Sequence, residues 1–129
     1  MLDHVGLEVS DYERGKAFYE AALAPLGVKL LMEFQSASAG FGGDTEHGPK
    51  PYLWIHSRGR TVVSGAHIAF AAADRDTVDA FHAAALAAGG TDNGAPGARP
   101  IYHPGYYGAF VLDPDGNNVE AVCHRAPSS

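Results

Sequence analysis

The stretch His4-Val5-Gly6-Leu7-Glu8-Val9-Ser10-Asp11 has a counterpart 63 positions later, His67-Ile68-Ala69-Phe70-Ala71-Ala72-Ala73-Asp74. The same offset aligns Ala17-Phe18 with Ala80-Phe81, Leu23 with Leu86 and Gly27 with Gly90. In each copy a strand-like apolar run precedes an aspartate that can cap a helix, and the helical pattern ends near a glycine. Shorter strand-like segments follow each helix. The sequence therefore predicts a βαβββ module that occurs twice.

The strands expected after each helix are Lys29–Phe34, Ala39–Gly42 and Tyr52–His56 in the first copy, and Thr91–Asn93, Tyr107–Leu112 and Asn118–His124 in the second. The glycine-rich stretches 40–43 and 94–97 lack the ending of a phosphate loop, so they are interpreted as turns. We predict an α+β fold in which the two modules form a cupped, barrel-like mixed sheet with helices on its outer face. The chain is expected to be one domain, 1–129, with module one at about 1–60 and module two at about 61–125.

Composition argues against several classes of protein. No apolar run approaches the roughly 20 residues that cross a bilayer, and no basic segment precedes an apolar one at the start of the chain. The net charge of −6 repels phosphate backbones and anionic lipids, so neither nucleic acid nor a membrane is an expected partner. A single cysteine, Cys123, rules out an internal disulfide and a cysteine-based zinc site. We therefore expect a cytoplasmic protein that binds a small-molecule substrate.

Alternation along the strands places three side chains that can bind a metal ion on the side opposite the apolar residues of their strands. Successive strand residues point to opposite sides, so His4 and His67 lie opposite the apolar residues of their strands, and Glu120 does so in the last strand. Since the apolar sides must face the helices, the two histidines and the carboxylate share the uncovered side. Two imidazoles and one carboxylate are a ligand set for a divalent metal with open positions for a substrate. The alternative is two ordinary strand histidines and a solvated glutamate.

The sequence resembles the vicinal oxygen chelate superfamily, which includes glyoxalases, bleomycin-resistance proteins, fosfomycin-resistance transferases and extradiol dioxygenases. The resemblance runs from Leu2 to His124, and the segments that carry it are 2–5, 17–19, 67–70 and 113–120. It implies that His4, His67 and Glu120 bind one divalent ion, which could be Fe, Mn, Zn or Ni. Trp54 stands where glyoxalases have a fourth ligand, which favours the branches with three ligands. The resemblance also implies a homodimer.

A second similarity, to extradiol dioxygenases, concerns the end of the chain. In that family a histidine precedes an aliphatic-tyrosine pair, an Asp-Pro-x-Gly turn and the glutamate ligand, and here His103 precedes Ala109-Phe110, residues 113–116 and Glu120. Phe110 lacks the hydroxyl of the family's tyrosine. The resemblance implies that His103 and Tyr107 are the catalytic residues, with Tyr106 as an alternative source of the hydroxyl. The expected substrate-binding residues are Trp54, Arg99, Tyr102, Tyr106 and Phe110.

Three functions are compatible with these residues. The first is a metal-dependent enzyme that chelates two neighbouring oxygens of a small substrate, with extradiol-dioxygenase-like or lyase and isomerase chemistry. The second is a metal-free ligand-sequestering protein of the bleomycin-resistance type, for which the aromatic residues would line the cup. The third is a thiol transferase of the fosfomycin-resistance type, which needs cationic side chains near the cup, and the candidates are Arg58 and Arg99.

Overall fold

The computed structural model describes residues 1–125. The strands are β1 (Val5–Glu8), β2 (Lys29–Phe34), β3 (Ser38–Thr45), β4 (Gly48–His56), β5 (His67–Ala71), β6 (Thr91–Ala98), β7 (Tyr107–Leu112) and β8 (Asn118–Cys123). The helices are α1 (Tyr12–Leu23) and α2 (Arg75–Ala87), and a short 3-10 helix, Ala24–Leu26, follows α1. Among the described residues, no helix is long and apolar enough to cross a membrane.

The strands form two four-stranded mixed sheets, one from each module. The first sheet has the order β1-β4-β3-β2 and the second has the equivalent order β5-β8-β7-β6. In each sheet the first strand pairs in parallel with the last, and the other pairs are antiparallel. The predicted α+β fold of two βαβββ modules is confirmed. Over the described residues the two sheets stay separate and do not close a barrel, which is consistent with a cupped sheet.

Both helices begin at the aspartates that the sequence indicates. The Asp11 carboxylate accepts a hydrogen bond from the backbone N–H of Arg14 at 3.0 Å, and Asp74 accepts one from Thr77 at 2.8 Å. These bonds satisfy N–H groups that have no partner within the helix. After α1 the chain turns at Gly27, whose φ of 77° is a conformation that favours glycine. Local side-chain chemistry thus sets where each helix starts, and Gly27 ends the 3-10 helix that follows α1.

One hydrophobic core joins the two modules, and α1 connects them. The Phe18 ring of α1 lies against Gly90 of module two. A Cβ added to Gly90 would lie 2.8 Å from that ring. The neighbouring Tyr19 ring is 6.3 Å from the Phe41 ring of β3, and its hydroxyl donates to the Asp113 carboxylate at 2.5 Å. The apolar sides of both sheets thus share one core with the helices. We call the opposite side of each sheet its cup face.

The expectation that the two glycine-rich stretches are turns is wrong. Residues 40–43 lie inside β3 and residues 94–97 lie inside β6, and both strands carry register shifts there. At the first shift the strands approach so closely that a Cβ on Gly42 would lie 1.9 Å from the Lys50 carbonyl oxygen. Glycine is therefore required here because two backbones approach closely. A glycine-rich stretch in the sequence does not by itself tell such a close approach from a turn.

We expect Gly42→Ala to lower the free energy of unfolding by roughly 1–3 kcal/mol, because the methyl group forces the paired strands apart. The adjacent Gly43→Ala is the matched control, since its Cβ would approach no atom closer than 3.4 Å, the distance to the Gly27 carbonyl oxygen. Urea denaturation of both variants measures the difference. Equal stability of the two would contradict the close approach described here.

Candidate metal and substrate site

The second sheet brings two of the predicted metal ligands together on its cup face. His67 lies on β5 and Glu120 on β8, and the parallel register that pairs Ala69 with Glu120 sets them side by side. The His67 Nε2 and Glu120 Oε1 atoms are 2.8 Å apart. Only 1% of Glu120 is exposed, whereas 54% of the His67 side chain is exposed. The pair therefore offers a buried carboxylate beside an accessible imidazole.

Tyr106 binds the other oxygen of the same carboxylate. Its hydroxyl donates a hydrogen bond to Glu120 Oε2. Burial and this hydrogen bond to Glu120 raise the pKa of Tyr106 above the ordinary tyrosine value, so the hydroxyl keeps its proton and acts as the donor. The ring of Tyr102 lies 4.8 Å from that of Tyr106, and Tyr102 itself is 62% exposed. Of these two predicted substrate-binding tyrosines, Tyr106 reaches the ligand pair and Tyr102 lies outside it.

Phe110 and Arg99 complete this cluster. Phe110 is the antiparallel partner of Glu120 on β7, and its ring centroid is 6.2 Å from that of His67. The guanidinium of Arg99 lies 5.6 Å from the Phe110 ring, and it also donates to the Ala95 carbonyl at 2.8 Å. An apolar ring and a cation thus border the His67–Glu120 pair. We call His67, Tyr106, Phe110 and Glu120 the second-sheet site.

The first sheet carries an aromatic cavity at the equivalent place. A cavity of about 270 Å³ on its cup face is lined by His4, Phe34, Ser38, Trp54 and His56. The register pairs Gly6 with Trp54 in the same way as Ala69 with Glu120, so Trp54 occupies in module one the position of the carboxylate in module two. We call this the first-sheet cavity.

The rings of the first-sheet cavity lie parallel to one another. Trp54 is 5.9 Å from Phe34 and 6.1 Å from His56, with interplanar angles of 14° and 1°. The indole covers Gly40, where a Cβ would be 2.8 Å from the ring. His56 binds the Ser38 hydroxyl at 2.7 Å, and burial lowers its pKa below the usual histidine value. Sequence analysis missed His56, although the alternation from Trp54 could have placed it on this face.

His4 does not join His67 and Glu120 within one chain. It precedes β1, is exposed, and its Nδ1 lies 2.6 Å from the carboxylate of the neighbouring Asp3. Within residues 1–125, no three histidine, cysteine, aspartate or glutamate side chains are grouped so that they could hold a metal ion. The described residues of a single chain therefore do not bring His4, His67 and Glu120 together as one ligand set. The three-ligand set stays a prediction.

The two predicted catalytic residues have hydrogen-bond partners outside the His67–Glu120 pair, and their catalytic role stays a prediction. Tyr107 points to the helix side of the second sheet, where its hydroxyl donates to Asp79 of α2 at 2.7 Å and the Arg75 guanidinium lies 4.7 Å from its ring. The reason is alternation, since Tyr107 shares a strand face with the fully buried Ala109. The hydroxyl beside Glu120 is instead that of Tyr106.

Both ring nitrogens of His103 are already engaged. Its Nδ1 accepts the backbone N–H of Gly105 at 3.1 Å, and its Nε2 lies 2.8 Å from Nδ1 of His124. Because Nδ1 is an acceptor, neutral His103 carries its proton on Nε2 and donates it to His124. Sequence analysis also missed this contact of His124, although it placed the residue at the end of the last predicted strand; in the structure β8 ends one residue earlier, at Cys123. His103 therefore belongs to a histidine pair beside Tyr106.

The family model described as Glyoxalase/Bleomycin resistance protein/Dioxygenase superfamily matches residues 1–121. The chain belongs to this superfamily. The resemblance inferred from the sequence is confirmed, and the two-module fold agrees with it. No curated protein gives a significant match to the chain.

Solved structures of the superfamily are similar over nearly the whole chain. A glyoxalase/bleomycin resistance protein from Albidiferax ferrireducens is 31% identical, with a TM-score of 0.76 over 94% of this chain and 96% of that one. A glyoxalase I mutant from Zea mays is 30% identical, with a TM-score of 0.67 over 94% of this chain and 46% of that one. A lactoylglutathione lyase from Agrobacterium tumefaciens is 19% identical, with a TM-score of 0.65 over 95% and 92%. At that identity the lyase shows only that the fold is shared.

Proposed function

We propose that this protein is a metal-dependent enzyme that binds a small substrate through two neighbouring oxygens of that substrate. The observation that carries the proposal is the buried Glu120 carboxylate, with Nε2 of the half-exposed His67 at 2.8 Å from one oxygen. The first-sheet cavity and Phe110 supply apolar surface for the rest of a small molecule. Extradiol-dioxygenase-like and lyase or isomerase chemistry both use such a site.

Within one chain, the second-sheet site offers two ligand atoms that suit a divalent cation. A buried carboxylate is costly unless its charge is compensated, and the two oxygens of Glu120 meet one imidazole and one phenol. A cation bound by Glu120 Oε1 and His67 Nε2 compensates the charge with ligand types that Fe, Mn, Zn and Ni accept. These two atoms are the ones that we assign to the metal.

We infer that a second copy of the chain supplies the third ligand, His4, so that the working protein is a homodimer. Two observations support this. Among residues 1–125 of one chain His4 is not grouped with the pair, and each cup face is left free of helices because the helices pack in the shared core. In such a dimer the first-sheet cavity of one copy faces the second-sheet site of the other.

Each part of the site then has a defined task. The metal ion, when bound, acts as a Lewis acid on the two substrate oxygens. His67 and Glu120 hold and orient that ion, and Arg99 places a positive charge at the border for an anionic substrate group. Trp54 and Phe34 exclude water and pack against the substrate. Tyr106 keeps its proton on the hydroxyl that binds Glu120.

A metal-free ligand-sequestering protein is the alternative. The first-sheet cavity favours it, since the parallel rings of Phe34, Trp54 and His56 suit a planar ligand. The transferase alternative has less support, because Arg58 lies 3.6 Å from the buried Glu8 carboxylate and Arg99 is bonded to Ala95. Of the two candidate arginines, Arg58 is thus paired with a carboxylate, and Arg99 alone is fewer cationic side chains than a phosphonate site needs.

We expect His67→Ala to weaken divalent metal binding by more than about 100-fold, because it removes a direct ligand. His82→Ala is the matched control. His82 pairs with Asp92 at 2.9 Å much as His67 pairs with Glu120, but it lies on α2. Titration with Zn²⁺ against a chromophoric chelator gives both affinities. If both variants retain wild-type affinity, the assignment fails, and a wild-type protein that binds no divalent ion would favour the sequestering alternative.

A further inference from the structure

The two oxygens of Glu120 have different partners, and this difference suggests a task for Tyr106. Oε1 faces His67 Nε2, which is the nitrogen available to a metal ion. Oε2 accepts the Tyr106 hydroxyl on its other side. A free carboxylate can bind a cation through one or both of its oxygens. Here the phenol occupies one of them.

We propose that Tyr106 is a positioning residue that holds Oε2 of Glu120 and leaves only Oε1 for the metal, which the carboxylate then binds through one oxygen. The inference rests on the proposed function, since it concerns the same ion. Hydrogen bonds to ligating carboxylates fix their orientation, and their loss typically weakens metal binding by about 10–100-fold. Binding through one oxygen also leaves more coordination positions for the substrate.

Tyr106 is itself held on several sides. Its ring makes edge contacts with His103 and His124, both at 5.5 Å between centroids, and packs against Tyr102 at 4.8 Å. The hydrogen bond between the two histidines and the one from Gly105 fix these rings in turn. The backbone of Tyr106 also donates to the His103 carbonyl at 3.1 Å. This arrangement gives the histidine pair a task that does not require either ring to meet the substrate.

Gly108 provides the space in which the phenol and the carboxylate meet. A Cβ at this position would lie 3.1 Å from Cε1 of Tyr106 and 3.2 Å from Oε2 of Glu120. Both distances are tighter than ordinary van der Waals contact, so a methyl group would push the two side chains apart. Its φ is not in the left-handed region, so alanine meets no backbone penalty. Gly108→Ala therefore disturbs the Tyr106–Glu120 bond without removing either partner.

The test measures metal affinity and the visible spectrum of bound Co²⁺ in the full-length protein. We expect Tyr106→Phe to weaken Zn²⁺ and Co²⁺ binding by about 10–100-fold. The matched control is Tyr12→Phe, because the Tyr12 hydroxyl donates to Glu33 at 2.6 Å, also a tyrosine–glutamate bond, but on the helix side. The control should keep wild-type affinity. The freed Oε2 of the Tyr106 variant should also bind Co²⁺, which raises the coordination number and weakens the visible absorption.

Gly108→Ala gives an independent readout if the phenylalanine variant folds poorly, and we expect it to shift affinity and spectrum in the same direction. Wild-type affinity and spectrum in both the Tyr106 and Gly108 variants would overturn the inference, even though the metal site would stand. Equal weakening by Tyr106→Phe and Tyr12→Phe would overturn it as well, as a general effect of stability. If the wild-type protein binds neither ion, the proposed function fails, and the inference fails with it.

Discussion

Asp113→Ala is expected to lower the free energy of unfolding by roughly 3–5 kcal/mol, one of the largest effects that a single side chain of this protein can have. Asp113 is 4% exposed. Its carboxylate accepts four hydrogen bonds, from the Tyr19 hydroxyl at 2.5 Å, the Asn117 side chain at 3.0 Å and the backbone N–H groups of Asp115 and Asn117 at 2.9 and 2.8 Å. Alanine leaves these donors unpaired in the core.

The loss should be large because Asp113 joins elements that are distant in sequence. Tyr19 belongs to α1 of module one, and Asn117 also binds the Val63 carbonyl and the Ala66 N–H of the segment between β4 and β5. Asp92→Ala is the control, since Asp92 is exposed and binds His82 and Gly94 at the surface, and we expect a change below about 1 kcal/mol. Urea denaturation gives both values. Similar small losses in the two variants would contradict this account of the Asp113 turn.

The sequence predicted the parts of the site that follow from periodicity. His67 and Glu120 lie on regular strands, so alternation alone placed them on the same face, and the structure sets them 2.8 Å apart. Trp54 was placed by the resemblance to glyoxalases, and the register of β1 with β4 agrees with that placement. The repeat also located both helices and their capping aspartates, because capping depends on neighbours in the sequence.

The parts that the sequence did not predict depend on long-range packing. Alternation with Ala109 could have placed Tyr107 on the helix side, but Tyr106 lies just before β7 begins, so no strand pattern placed its hydroxyl beside Glu120. Similarly, the repeat gives His4 and His67 equivalent positions in their modules. This equivalence does not decide whether the cup faces of the two sheets meet within one chain. That depends on how α1 packs, with Phe18 against module two. Such contacts have no local signature.

Two variants that each lose metal binding should restore it when they share a dimer. In the proposed homodimer each site takes His4 from one copy and His67 with Glu120 from the other. A dimer of one His4→Ala chain and one His67→Ala chain therefore has one site with both defects and one site with none. Random mixing makes about half of the dimers mixed, so about a quarter of the wild-type metal capacity should return.

The decisive measurement is the amount of tightly bound Zn²⁺ per chain after His4→Ala and His67→Ala proteins are unfolded together and refolded. The control mixture is His67→Ala with Glu120→Gln, whose defects both lie in the second-sheet site, so every mixed dimer has two damaged sites. We predict that each variant alone and the control mixture bind almost no Zn²⁺, while the first mixture recovers about a quarter of the wild-type amount. No recovery in the first mixture, with wild-type protein binding Zn²⁺ under the same conditions, would contradict a site shared between two copies.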